Sequence, residues 1–149
     1  MLLPYFAGER TPNRPVATGS LRGLRTDVTR EQVARAAFEG VACSLLDGFD
    51  ALRAAGVDTS GRLLLVGGGA ESAAYRQVFA DLSGREVVVP DGDELVATGA
   101  CVQAAAVLAG WAPDEVAGAW GLGAGVVVEP AADVDRRSVR AAYATVRDS

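Results

Sequence analysis

The stretch Leu64 to Asp81, LLVGGGAESAAYRQVFAD, limits the fold more than any other part of the chain. An apolar run ends on three consecutive glycines and then resumes at helical spacing. Glycine loses more backbone freedom on folding than any other residue, so three in a row are costly to order and need a reason. The run before them, RLLLV (62–66), is apolar from Leu63 onward instead of alternating. That is the pattern of a parallel strand covered on both faces. After the glycines, Ala73, Ala74, Gln77, Val78, Ala80 and Leu82 mark an amphipathic helix that stops near Ser83-Gly84. Strand, glycine turn and helix in this order place the chain among α/β proteins.

The flanking sequence extends the pattern. Thr29 and Gln32 form a capping box ahead of Val33, Ala36, Ala37, Val41, Leu45, Phe49 and Leu52, which predicts a long helix over roughly 30–55. Gly40 and Gly48 lie on nearly one face of it, as close-approach points or as tolerated residues. Residues 86–89 (EVVV) read as a second strand closed by Pro90, and Asp91 or Asp93 can cap a third helix, ELVATGACVQAAAVLAG. That helix is apolar all round, so it is expected to be buried. The remainder reads as a short helix, a Gly-rich loop, a small strand and a closing helix over about 132–147. Residues 1–27, with Pro4, Pro12 and Pro15, form an extended, turn-rich loop segment, and 28–149 form the domain proper. Two short strands make a poor sheet, and the long leading helix has no strand of its own to return from. The expectation is an incomplete domain with a short, mostly parallel sheet and helices on both faces.

Composition removes several function classes. With 149 residues, 50% of them hydrophobic and 22% charged, the chain can bury a core. A net charge of −5 argues against nucleic acid as a partner, since that binding needs clustered cations. No apolar run reaches the ~20 residues of a membrane helix, and MLLPYFAGER has no basic n-region, so a cytoplasmic protein with no membrane partner is expected. Cys43 and Cys101, set among alanines and valines, read as small hydrophobes. The chain has no histidine, which removes imidazole-dependent triads and ordinary zinc sites; no metal ligand set is expected.

Taken alone, the glycine turn has three readings. Gly67-x-Gly69-x-x-Ser72, with Asp91 after the next strand, approximates a dinucleotide fingerprint. A single nucleotide could lie across glycine amides at a helix N-terminus. The turn could also simply pack against a neighbouring element.

Four stretches in order, PYFAGERTPNRP, GSLRGL, EQVARAAFEGVA and LLLVGGGAESAAYRQVFADLSGREVVVPDGDELVATGAC, resemble the C-terminal part of the FGGY carbohydrate kinases. The resemblance runs from residue 1 to about 110 and is greatest to the xylulokinases, to which PYxxGERTP points in particular. Gly19, Leu21, Gly23 and Leu24, followed by Gln32-Val33 and Ala36-Ala37-Phe38-Glu39, fit the family's second signature. The resemblance implies part of an actin-like ATPase (ribonuclease H-like) fold, with ATP and Mg²⁺ as cofactors and a pentulose, D-xylulose, as the phosphate acceptor. It implies that Gly67, Gly68, Gly69, Ala70 and Ser72 meet the adenosine side of ATP; Glu9 and Arg10 are candidates for a loop at the cleft, where Arg10 either meets a phosphate or substrate or braces its own loop through Glu9. It also implies that the first phosphate-binding motif and the catalytic Asp belong to an N-terminal kinase domain that precedes this segment. No catalytic residue is therefore expected here, the acids Glu9, Asp91, Asp93 and Glu94 being weak candidates. The isolated chain is expected to be inactive, and a homodimer is compatible with the family. Asn13 and Tyr75 depart from the family's usual His and Trp, which leaves the sugar open, and Ala73 stands where some relatives place an adenine-contacting Asn. The alternative from another class is a free-standing nucleotide-binding or scaffold domain without chemistry.

Overall fold

A computed structural model describes residues 1–92 and 94–149. The capping box forms as its residues require: Thr29 Oγ1 accepts from the Gln32 amide at 3.3 Å and Gln32 Oε1 accepts from the Thr29 amide at 3.0 Å. Helix α1 then runs Arg30–Ala54. Ahead of it, two short antiparallel strands, β1 (Leu2–Leu3) and β2 (Ser20–Leu21), bracket the GERTP loop. That loop closes on itself through two backbone hydrogen bonds between Glu9 and Arg14, at 2.8 and 2.9 Å.

Strand β3 (Leu63–Leu64) leads into a 3-10 turn over Gly68–Glu71 and then α2 (Ala73–Ser83), which ends on Gly84 at φ 65°. Strand β4 (Val87–Pro90) pairs parallel with β3 on one side and antiparallel with β5 (Gly125–Val128) on the other. The sheet is therefore mixed, in the order β3-β4-β5, rather than mostly parallel. The antiparallel strand enters because the Gly-rich loop after α3 (Leu95–Ala109) and α4 (Pro113–Ala119) turns the chain back along β4. Helix α5 (Arg136–Arg147) closes the chain.

One core joins most of these elements. Leu3 and Tyr5 from the N-terminal segment meet Cys43 and Leu46 of α1, Leu65, Tyr75, Phe79 and Leu82 around α2, Val87 of β4 and Tyr143 of α5. The proline-rich segment is thus anchored by two buried side chains despite its lack of regular structure. Gly40 lets this happen: a Cβ there would run into the Leu2 carbonyl oxygen, whereas one at Gly48 would meet nothing within 4 Å.

Two further expectations fail. Strand β3 is not covered on both faces, since Leu64 and Val66 are exposed and β3 is an edge strand. Helix α3 is not buried: Val96, Val107 and Leu108 are 90%, 86% and 91% exposed. It packs on α4 in a separate small cluster of Val102, Ala106 and Val116, and a seven-residue partner covers only one stripe of a helix apolar on every side. Cys101 on this helix is exposed too, while Cys43 is buried as a small hydrophobe. Burial pushes the Cys43 thiol up to about 12.

Candidate functional site

The three glycines of the turn have different local explanations. Gly67 stands at φ 93°, a conformation that residues with a Cβ rarely adopt. Gly69 lies under the Tyr75 ring, and a Cβ there would stand 3.1 Å from Tyr75 Cε1. Gly68 needs neither explanation: its φ is ordinary and a Cβ would meet no protein atom within 4 Å. The space above Gly68 is open.

Two grooves flank that point. On the α1 side, Ala37, Phe38, Val41, Leu65 and Tyr75 line an apolar groove of about 510 Å³. Tyr75 is held there between Phe38 and Phe79, with ring centroids 6.1 and 6.2 Å away. On the β4 side, Glu71, Arg76, Asp91 and Glu94 line a polar groove of about 460 Å³. Gly67 and Gly68 border both.

The other expected contact residues have structural roles of their own. Ala70 is buried, and its carbonyl accepts from Arg76 Nε. Ser72 is the N-cap of α2, its hydroxyl oxygen accepting from the Tyr75 amide at 3.4 Å. The amides of Ala70 and Ser72 close the 3-10 turn onto the Gly67 and Gly69 carbonyls, at 2.9 and 3.2 Å. The Ala70 and Ser72 amides are therefore committed within the turn, and the open position on it is Gly68.

Among the weak acid candidates, Asp91 and Glu94 border the polar groove, and Asp93 lies outside the described residues. Asp91 does not cap α3; the N-cap position belongs to Glu94, whose side chain makes no capping bond. Glu9 and Arg10 line neither groove. Glu9 braces its own loop, accepting from the Arg10 amide at 2.6 Å, the Thr11 amide at 3.1 Å and the Ser44 hydroxyl at 3.1 Å. Burial works against the Glu9 charge, but these donors outweigh it and hold the carboxyl below its usual value. Arg10 contributes through its backbone amide, and its side chain is exposed. Glu39 pairs with Arg35 one turn away at 2.7 Å.

Sequence reasoning did not assign Phe38, Val41 or Arg76 to the site. The first two appeared only as members of the α1 apolar stripe and the second signature. The stripe for Val41 and the signature for Phe38 were the available signals, since both residues line the groove beside the glycines.

Comparison with known proteins agrees with this architecture. Residues 1–108 match the model of the FGGY family of carbohydrate kinases, C-terminal domain. A xylulose kinase from Streptomyces rubiginosus is 48% identical over 128 residues, covering 86% of this chain and 27% of that relative. The crystal structure of xylulose kinase from Bifidobacterium adolescentis superposes with a TM-score of 0.75 at 40% identity, over 99% of this chain and 28% of the other. Plasmodium falciparum glycerol kinase, solved with ADP, shares the fold with a TM-score of 0.79 at 22% identity, over 99% of this chain and 29% of the other. The chain spans about a quarter of the length of these relatives, 27% for the Streptomyces protein. By sequence and by fold, the chain belongs to the FGGY family of carbohydrate kinases, as a C-terminal domain.

Proposed function

We propose that this chain forms the adenosine side of the ATP site of a sugar kinase that phosphorylates a pentulose, D-xylulose giving D-xylulose 5-phosphate. The observation that carries the proposal is Gly68. Its neighbours are glycine for reasons internal to the chain, but at Gly68 neither backbone conformation nor packing excludes a side chain. A flat ligand resting there accounts for the open surface. A nucleoside over Gly68 would have the apolar wall of Phe38, Val41 and Tyr75 on one side for its base. Polar groups on the other side would suit its ribose.

The assignment of ATP draws on the family and on the related glycerol kinase solved with ADP. The assignment of D-xylulose draws on the named relatives, and is the finer part of the proposal. Residues of this chain bind and orient: the turn shapes a surface for the nucleoside, Tyr75 and Ser72 keep the turn in place, and the apolar groove excludes water. ATP supplies the transferred phosphoryl group when bound. Among the described residues no cluster of three or more metal-ligating side chains occurs, so the proposal gives Mg²⁺ to the nucleotide phosphates and to groups outside this segment. The general base and the sugar contacts are likewise assigned to chain beyond these 149 residues.

The direct test is ADP titrated into the 149-residue chain with amide chemical shifts as the readout. Perturbations centred on Gly67–Ser72 and on Phe38 are expected. Saturable binding that leaves those amides unmoved would place the nucleotide elsewhere. No xylulose-dependent ATP hydrolysis is expected from the isolated chain, and turnover would contradict the division of roles.

A further inference from the structure

The largest concentration of positive charge in this acidic chain lies away from the glycine turn. All the basic side chains are arginines, and five of them, Arg53, Arg85, Arg136, Arg137 and Arg140, line one cavity of about 830 Å³ with only two carboxylates, Asp50 and Asp58. The cavity sits beside Leu82 and Ser83 at the C-terminal end of α2, whose N-terminal end carries the glycine turn. An eleven-residue helix separates the two places by about 16 Å, at ~1.5 Å per residue.

Three of the arginines have partners within the chain. Arg85 is fixed: it donates to the carbonyls of Thr59, at 2.7 Å, and Gly61, and its guanidinium lies 5.6 Å from the centroid of the Phe49 ring. Arg53 and Arg140 share Asp50, at 3.0 and 2.7 Å, and Arg140 also reaches Asp47 at 3.4 Å. Asp58 accepts from the Ser60 amide and has no arginine within 4.0 Å among the described residues. That leaves Arg136 and Arg137 without a carboxylate within 4.0 Å among the described residues. Arg136 lies against Gly84, where a Cβ would collide with its guanidinium. Arg136 and Arg137 are exposed and line the same concave surface as the other three arginines, where an anion relieves the mutual repulsion of these charges.

We infer that this cavity is a binding site for a small polyanion carrying phosphate groups, separate from the nucleotide turn. Guanidinium forks match phosphate oxygens in pairs, and such charge-assisted hydrogen bonds are among the strong ones. The α5 amides are not the binding element, because the Asp135 carboxylate already accepts from the Ser138 amide at 3.1 Å. Three of the five arginines belong to α5, which lies beyond the segment matched by the family model. The site therefore draws on the closing helix as well as on α1 and the turn before β4.

Inorganic pyrophosphate is the probe, titrated calorimetrically into the 149-residue chain at fixed ionic strength. Saturable binding at one site is expected, weakening as salt rises. The double variant Arg136→Ala, Arg137→Ala should bind at least about tenfold more weakly, the loss expected for removing charge-assisted hydrogen bonds. Both side chains are exposed, so the variant should keep the wild-type circular dichroism spectrum. Arg137→Glu, a single charge reversal, provides a second reading if the double variant unfolds. Gly68→Val should leave pyrophosphate affinity unchanged, which separates this site from the proposed nucleotide site. Absence of saturable binding, equal affinity in the arginine variants, or a matching loss in Gly68→Val would each overturn the inference.

Discussion

Gly69 lies beneath Tyr75, and the ring that covers it is itself held between Phe38 and Phe79. The glycine turn is therefore fixed from above by an aromatic cluster that joins α1 to α2. Gly69→Ala would put a methyl group 3.1 Å from Tyr75 Cε1, and the ring has aromatic neighbours on both sides that limit its retreat. A loss of about 1–2 kcal/mol is expected from this overpacking, read as a lower urea midpoint. An unchanged midpoint would mean that Tyr75 moves freely and does not hold the turn.

Two glycines of α1 make a matched pair. Gly40→Ala drives a methyl into the Leu2 carbonyl, so it should displace β1 and cost about 1–3 kcal/mol. Gly48→Ala meets open space in a helix interior and should stabilise by roughly 0.5–1 kcal/mol. Thermal denaturation of both variants decides this. Shifts in the same direction would contradict the contact between Gly40 and β1.

Glu9 makes the GERTP loop sensitive to acid. Its folded-state pKa lies below the ordinary value of 4.5, because the Arg10 and Thr11 amides and the Ser44 hydroxyl favour the carboxylate more than burial disfavours it. The stability it contributes is full above that ordinary value and is lost as pH falls through the lower folded value. Glu9→Gln should cost about 1–2 kcal/mol at pH 7, from weakened hydrogen bonds to a charged group. The difference from wild type should shrink below about pH 4, as the wild-type carboxyl protonates. A difference that stays constant from pH 7 to pH 3 would assign Glu9 a purely steric role.

Local physics made much of this fold readable in advance. Thr29 and Gln32 announced the start of α1, Gly84 the end of α2, and the unbroken apolar run at Leu63–Leu65 a strand with a parallel partner. Helix α3 was misread because an all-round apolar pattern states a need for cover without saying that this chain supplies it. Its small cluster with α4 contributes on the order of a few kcal/mol of burial, little beside the roughly 1–2 kcal/mol per residue of backbone ordering. The antiparallel pairing of β5 depends on how a Gly-rich loop turns, which residue periodicity does not encode. At the site, the GGG motif was visible, but the separate reasons for its three glycines were not. Those reasons depend on φ at Gly67 and on where the Tyr75 ring falls, both set by tertiary packing.

The open surface at Gly68 is the central claim, and nucleotide binding by Gly68→Val tests it most directly. ADP and D-xylulose affinities should be measured on the same samples of a full-length kinase containing this segment. A valine side chain at this position would fill the space above the turn, and its Cβ would meet no atom of this segment beyond its chain neighbours within 4 Å, so the segment should keep its fold. The expected result is loss of ADP binding with D-xylulose binding nearly unchanged. Undiminished ADP binding, or equal loss of both ligands, would contradict the account.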